Sequence, residues 1–328
     1  MYFPIVVCGT ITIDSVFKHE KNITAYFQNI SNDVGINFVA RTHQKYFGGT
    51  ASNVAYNLSL FNIGCRLIAS VGSDFYEFKS FLNKHSIDTD WVAELINELT
   101  STCVIFCDND NNHLDIFYPG PMYNDSNLSL HDKNIEGLML AIITPTDVQS
   151  MVIRSKECHC LNIPYIFDPG LFIENFDVEE LISCCNNAKI LTMNEKEFSR
   201  LAKHTGLCSD DALKLNSTIV ITKGKGGSTL YCNGESIDIP AIKTSHIFDT
   251  IGAGDAYKAG LALGIINHLP MADCCKIGST IASFNIEFHG STNHTFTREA
   301  FVERYNKHFN KHSNIDIESI LETSTSTG

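Results

Sequence analysis

The sequence predicts an α/β protein, built as a doubly wound, mostly parallel sheet with helices on both faces and a small β lid. Short apolar runs rich in β-branched residues recur along the chain, helical patterns lie between most of them, and two stretches break the alternation. Taken in order, Pro4 to Val7 reads as a first buried strand and Ala51 to Asn62 as an amphipathic helix that ends at Gly64. Arg66 to Val71 is the next strand and Phe75 to His85 the next helix. Strands at Met139 to Thr144, Pro164 to Phe167, Ile190 to Met193 and Thr218 to Thr222 then alternate with helices at Thr146 to Cys158, Val178 to Asn186 and Glu195 to His204. Three helices follow, at Ala256 to His268, Met271 to Phe288 and Arg298 to Phe309. The interruptions, at about 15–46 and 100–120, read as strands leaving the main sheet. The second alternates over Cys103 to Phe106 and Leu114 to Tyr118 around an Asp108 to Asn112 turn. Ligands of doubly wound folds sit beyond the C-terminal ends of the strands, so strands projecting from that edge make a lid. Residues 1–311 are expected to form one domain, and the polar residues 312–328 a disordered tail.

Composition narrows the function. At 328 residues, with 44% hydrophobic and 19% charged, the chain is long enough to bury a full core. Thirty-seven acidic residues against 24 basic ones leave a formal charge of -13, which repels nucleic acid and anionic membrane surfaces. The longest apolar run, Leu138 to Ile143, is far shorter than the roughly 20 residues of a membrane-spanning helix. No basic region precedes the apolar start of the chain, so it is not read as a secretory signal, and a cytoplasmic location is expected. The twelve cysteines lie mostly in apolar surroundings. Cys158-His159-Cys160, Cys184-Cys185 and Cys274-Cys275 lack the two-residue spacer of a zinc site, so reduced core thiols are expected.

The segment with most chemical content is Asp249-Thr250-Ile251-Gly252-Ala253-Gly254-Asp255, followed by a helix with small residues at Ala256, Ala259, Gly260 and Ala262. Glycines bring several backbone N-H groups to one point, and the helix dipole adds positive potential there, a combination suited to a phosphate in transfer. Asp255 stands beside that nest, where a proton acceptor is needed. Taken alone, the same residues read equally as a tight strand-to-helix connection capped by Asp255. A companion segment, Phe47-Gly48-Gly49-Thr50-Ala51-Ser52-Asn53, runs a double glycine into a helix whose Asn53 offers a polyol both donor and acceptor, or merely caps the helix.

With both segments in place, the chain resembles the ribokinase-like (PfkB) family of carbohydrate and nucleoside kinases from about Ile5 to Gly290. The resemblance implies an ATP-dependent kinase with Asp255 as catalytic base and the amides of Gly252, Ala253 and Gly254 as an anion hole. It implies that Asp14, Gly48, Gly49 and Asn53 bind the hydroxyls of the acceptor. Asn194-Glu195-Lys196-Glu197 looks like the family's Asn-x-x-Glu motif, with Asn194 near ATP and Glu197 reaching Mg2+ through water; read by itself it is a helix cap with its capping-box partner. Thr222, Gly224 and Gly227, in Thr222-Lys223-Gly224-Lys225-Gly226-Gly227-Ser228, resemble the family's ATP-holding loop. Some relatives also require a monovalent cation such as K+, which these residues do not decide.

For the acceptor, Phe117-Tyr118-Pro119-Gly120-Pro121-Met122 is similar to a stretch of bacterial adenosine kinases, which makes Phe117 the candidate ring for stacking on a purine. Adenosine is therefore the expected acceptor. After Asp168-Pro169, however, the chain has Gly170-Leu171-Phe172 where those kinases tend to carry glutamines that reach the base. A sugar kinase of the same family (ribose, fructose or a sugar phosphate) is the rival reading, and a non-catalytic nucleoside- or nucleotide-binding sensor the rival from another class. Tyr257 and Lys258 follow Asp255 where the family commonly has Phe first, a departure expected to leave the chemistry undisturbed. The oligomeric state is open between monomer and homodimer.

Overall fold

Ile5–Cys8 (β1) is a run of four fully buried residues, the signature of a strand covered on both faces. In the computed structural model, which describes residues 2–20, 22, 39–108, 112–216, 218–309 and 317, β1 lies inside a nine-stranded sheet. Next come Thr12–Lys18 (β2), Thr42–Gly48 (β3), helix α1 (Thr50–Ser59), β4 (Cys65–Gly72), α2 (Tyr76–Lys84), β5 (Val92–Leu95), β6 (Thr102–Cys107) and β7 (His113–Tyr118). The alternating half of the chain follows: β8 (Leu140–Ile143), α3 (Val148–Cys160), β9 (Tyr165–Phe167), α4 (Val178–Asn187), β10 (Ile190–Asn194), α5 (Glu195–Thr205) and the short α6 (Ser209–Ala212). Last are β11 (Thr218–Thr222), β12 (Ser228–Cys232), β13 (Glu235–Ile239), α7 (Ala253–Ile266), α8 (Met271–Asn285) and α9 (Arg298–Phe309).

The large sheet has the order β13-β12-β11-β10-β9-β8-β1-β4-β5, parallel from β11 to β5 and antiparallel along the β11-β12-β13 edge. From β1 the chain moves one way to β4 and β5 and later the other way through β8 to β11, so the strand order reverses between β1 and β8. That reversal opens a crevice at the C-terminal ends of these strands. Two apolar clusters fill the two faces of the sheet. One gathers the inward residues of α1, α2, α7, α8 and α9, the other those of α3, α4 and α5.

The expected helix and strand runs are all present, with shifted ends. Helix α1 stops at Ser59 rather than continuing to Asn62 and Gly64, because Asn62 adopts φ 57 and Ile63 N-H donates back to the Leu58 carbonyl. The last two strands and β5 escape the sequence reading: β5 and β13 are the two edge strands of the sheet and are largely unburied, and β12 pairs with β13 in an antiparallel hairpin outside the βα alternation. The interrupting segments form a second sheet in the order β3-β2-β6-β7. Of the expected lid and tail, residues 21, 23–38, 109–111, 312–316 and 318–328 lie outside the described residues. Phe47, at the end of β3, stacks on Phe78 of α2 with centroids 4.4 Å apart, a contact worth about 0.5–1.5 kcal/mol beyond its buried area that ties this sheet to the body.

Candidate active site

The crevice is assembled from strand ends and helix starts. Gly49 caps α1 at φ 95, and a Cβ there would lie 2.4 Å from the Thr10 carbonyl oxygen, so only glycine lets the chain pass. The Thr50 hydroxyl bridges to the Thr144 hydroxyl at 2.8 Å, joining α1 to the end of β8. One turn into α1, Asn53 is buried, its Nδ2 donating to Asp255 Oδ2 at 2.8 Å while its Oδ1 accepts from Ser291 Oγ at 2.7 Å. Each end of the Asn53 amide thus spends one of its two hydrogen-bonding positions on a protein group, Asp255 and Ser291, and keeps the second.

Asp255 is set by α7, whose start is capped by Gly252 at φ 78 with no described side chain on its first amides. Helix α7 crosses α8 closely at Gly260 and Gly278, where an added Cβ at Gly260 would lie 2.5 Å from the Gly278 Cα, so the small residues read from the sequence are packing requirements. The Tyr257 hydroxyl hydrogen-bonds Ser228 of β12 at 2.7 Å. Lys258 is buried, and its Nζ contacts Asp255 Oδ1 at 2.9 Å and Asp168 Oδ2 at closer range. Lys258, expected from the sequence to leave the chemistry undisturbed, is in direct contact with the Asp255 carboxylate. Burial pushes the Asp255 carboxyl above its ordinary value, opposed by Lys258 and the Asn53 hydrogen bond. Burial opposes the Lys258 ammonium, but Asp168 and Asp255 outweigh it and hold the lysine charged.

Asp14 sits in the small sheet with its Oδ1 accepting from the Thr12 hydroxyl at 2.8 Å. Gly48 backs it: a Cβ at 48 would fall 2.2 Å from Asp14 Oδ2. Strand register aligns Tyr46, Asp14, Cys103 and Phe117 in one row across β3, β2, β6 and β7. Residues in one row project to one face of a sheet, so Phe117, 43% exposed, shares its face with Asp14. Leu171 is 60% exposed, on a turn whose Gly170 N-H donates to Asp168 Oδ1 at 2.9 Å, while Phe172 packs against the core.

Burial pushes the Asp14 carboxyl up to about 6 from an ordinary 3.8, with the Thr12 hydrogen bond working the other way. A folded-state pKa above the unfolded one means the native protein holds the extra proton between about pH 4 and 6. This group's contribution therefore favours the fold at low pH and is lost as pH rises through about 6. Asp14→Asn removes the titration, so the variant should gain thermal stability relative to the wild type as pH climbs from 4 to 7. A difference in melting temperature that stays constant over that range would contradict the assignment.

Toward the other end of the crevice, Asn194 and Thr222 are register partners at the ends of β10 and β11. Asn194 caps α5 by accepting from Glu197 N-H at 2.9 Å, and Glu197 Oε2 returns to Asn194 N-H at 2.7 Å, a complete capping box. Burial and the Asp168 charge push the Glu197 carboxyl up. Gly224 (φ 53) faces open space, whereas Gly227 (φ 85) is pressed against the Ile239 carbonyl. These residues suit a nucleotide: the left-handed Gly224 leaves room beside Thr222, and the first amides of α7, on which no described side chain sits, offer donors to a phosphate, with Ala253 N-H also donating to the Thr250 carbonyl at 3.3 Å. Among the described residues no three carboxylate, histidine or cysteine side chains gather as a metal cage. A Mg2+ carried on the nucleotide's phosphates and reached through water by Glu197 needs no such cage.

Sequence comparison decides the family. Residues 5–298 match the pfkB family carbohydrate kinases. The chain belongs to that family. It is therefore an enzyme, an ATP-dependent kinase, on a ribokinase-like fold. A nucleoside kinase of Methanocaldococcus jannaschii is 28% identical over 302 residues, 92% of this chain and 96% of that protein. A Burkholderia thailandensis nucleoside kinase in complex with inosine superposes with a TM-score of 0.84 at 26% identity, covering 93% of this chain and 99% of that one. The Thermotoga maritima ribokinase, at 20% identity and a TM-score of 0.78, covers 94% and 100% of the two chains and shares the fold. No helix among the described residues is long and apolar enough to cross a membrane.

Proposed function

We propose that this kinase transfers the γ-phosphoryl group of ATP to a primary hydroxyl of a purine ribonucleoside, with adenosine as the leading acceptor. The observation that carries this reading is the row Tyr46-Asp14-Cys103-Phe117, which puts a half-exposed aromatic ring on the same sheet face as a carboxylate able to hold sugar hydroxyls. A planar base offers this ring a π face to stack on, which a free sugar lacks. The inosine held by the Burkholderia relative and the nucleoside kinase of Methanocaldococcus support the same acceptor class.

In this mechanism Asp14 and Asn53 orient the acceptor. The acceptor hydroxyl gives its proton to Asp255 as its oxygen bonds to the γ-phosphorus, and the bond from that phosphorus to the bridging oxygen of ADP breaks. Charge on the transferring oxygens is met by the amides of Gly252, Ala253 and Gly254 at the α7 N-terminus. Asn194, Thr222, Gly224 and Gly227 would hold the nucleotide, and Glu197 would hold Mg2+ through water, where the ion would supply neutralisation of phosphate charge. The test is ADP release with Mg-ATP against adenosine, guanosine, inosine, cytidine, ribose, fructose and fructose 6-phosphate. Turnover of purine nucleosides with free ribose idle is expected, whereas turnover of sugars alone would move the assignment to a sugar kinase. ATP binding with no acceptor turned over would favour a nucleoside-binding sensor.

A further inference from the structure

We propose that Lys258 is a positioning residue for phosphoryl transfer: clamped by Asp168, its ammonium fixes the Asp255 carboxylate in place and favours its ionised form. The inference rests on the reading of Asp255 as the base and deepens it. Lys258 lies one turn along α7 from Asp255, so the i,i+3 spacing alone brings the two side chains to one face. The contact is buried, with Nζ 2.9 Å from Asp255 Oδ1 and also against Asp168 Oδ2.

The three groups come from three places. Asp255 and Lys258 belong to α7, and Asp168 follows β9 on the turn that carries Leu171. Asp255 keeps its other oxygen for Asn53 of α1. Facing the cluster from α5 are Glu197, which feels both Asp168 and Lys258, and Arg200, which acts on Glu197. Two carboxylates this close cannot both stay ionised in a dry site without a cation between them. Lys258 is that cation. Because a lysine ammonium is a point charge with three donors, one side chain serves Asp168 and Asp255 together. Burial alone would favour a protonated Asp255, which accepts no proton, and Lys258 opposes that.

The experiment is the pH profile of kcat/KM for the full chain with its preferred acceptor, on Lys258→Met, Lys258→Arg, the double variant Asp168→Asn/Lys258→Met, and Asp255→Asn. Losing an opposite charge at this distance moves a carboxyl by about 1–3 pH units. The acid limb of Lys258→Met should therefore rise by that amount, so that the variant loses a larger share of its activity at pH 6 than at pH 8. Lys258→Arg should return the limb to within half of that shift. If Lys258→Met fails to fold because it strands two buried carboxylates, the double variant, which strands only one, carries the measurement and should show the raised limb. A folded Lys258→Met or double variant with the wild-type limb and kcat overturns the proposal, as does lost activity with an unmoved limb, the mark of a purely structural lysine. Asp255→Asn separates the two levels. If it keeps turnover, the base itself is misassigned, and if it is inactive while the Lys258 variants match wild type, only the role of Lys258 fails.

Discussion

Asp255→Asn is expected to lower kcat by roughly 10² to 10⁴, the range for removal of a general base, while nucleotide and acceptor still bind. The substitution keeps the shape of the side chain and one oxygen to accept the 2.8 Å hydrogen bond from Asn53 Nδ2, while its amide nitrogen cannot accept from Lys258, so the crevice loses a charge and the Lys258 contact. Its cost falls on Lys258, which retains Asp168 as its remaining carboxylate partner. Burial that raises the wild-type carboxyl is absent from an amide, so the variant should melt close to the wild type. Turnover by coupled ADP release, together with calorimetric binding of ATP and acceptor, checks both halves. Unchanged turnover would remove Asp255 from the mechanism. Unchanged turnover with a large loss of acceptor affinity would recast it as a binding residue.

Much of this architecture was legible in the residue pattern, because parallel strands buried on both faces leave long apolar marks. Ile190 to Met193 and Thr218 to Thr222 are apolar enough to be recognised without their neighbours. The hairpin β12-β13 is different. Glu235–Ile239 is exposed along most of its length, carries charge, and has only an edge to pair with, so its period is weak. Within the site, glycines announced themselves because a left-handed φ or a close approach admits little else, as at Gly49 and Gly252. The Lys258–Asp168 pair did not, since 90 residues of chain separate its members and only the packing of α7 over the end of β9 joins them. Two of the three groups were within reach all the same. Asp255 and Lys258 are three apart on a helix recognised from sequence, and a lysine on that buried helix requires an acidic partner. Likewise, alternation revealed Phe117 as a strand residue, but its alignment with Asp14 depends on a register across three strands that no local pattern encodes.

Gly252 and Gly254, two residues apart, should respond in opposite ways to alanine. At Gly252 the backbone is left-handed, φ 78, and a new Cβ would lie 2.6 Å from the Ser291 Cβ, the residue whose hydroxyl holds Asn53. The conformation alone costs about 1–2 kcal/mol in a residue with a Cβ, so Gly252→Ala should lose stability as well as activity. At Gly254 a Cβ meets nothing within 4 Å. The protein itself therefore has no need for glycine there, and alanine favours a helix by up to about 1 kcal/mol. Gly254→Ala should melt at or above the wild-type temperature. The open space it would enter lies over the first turn of α7, where the phosphoryl group is to be held, and a displacement of about 1 Å at a reacting centre costs about 10²-fold in rate. The expected result is an undiminished melting temperature with kcat reduced by about that factor. If kcat survives intact, the transferring phosphate does not approach Gly254, and the anion hole must be sought in the loop before Gly252.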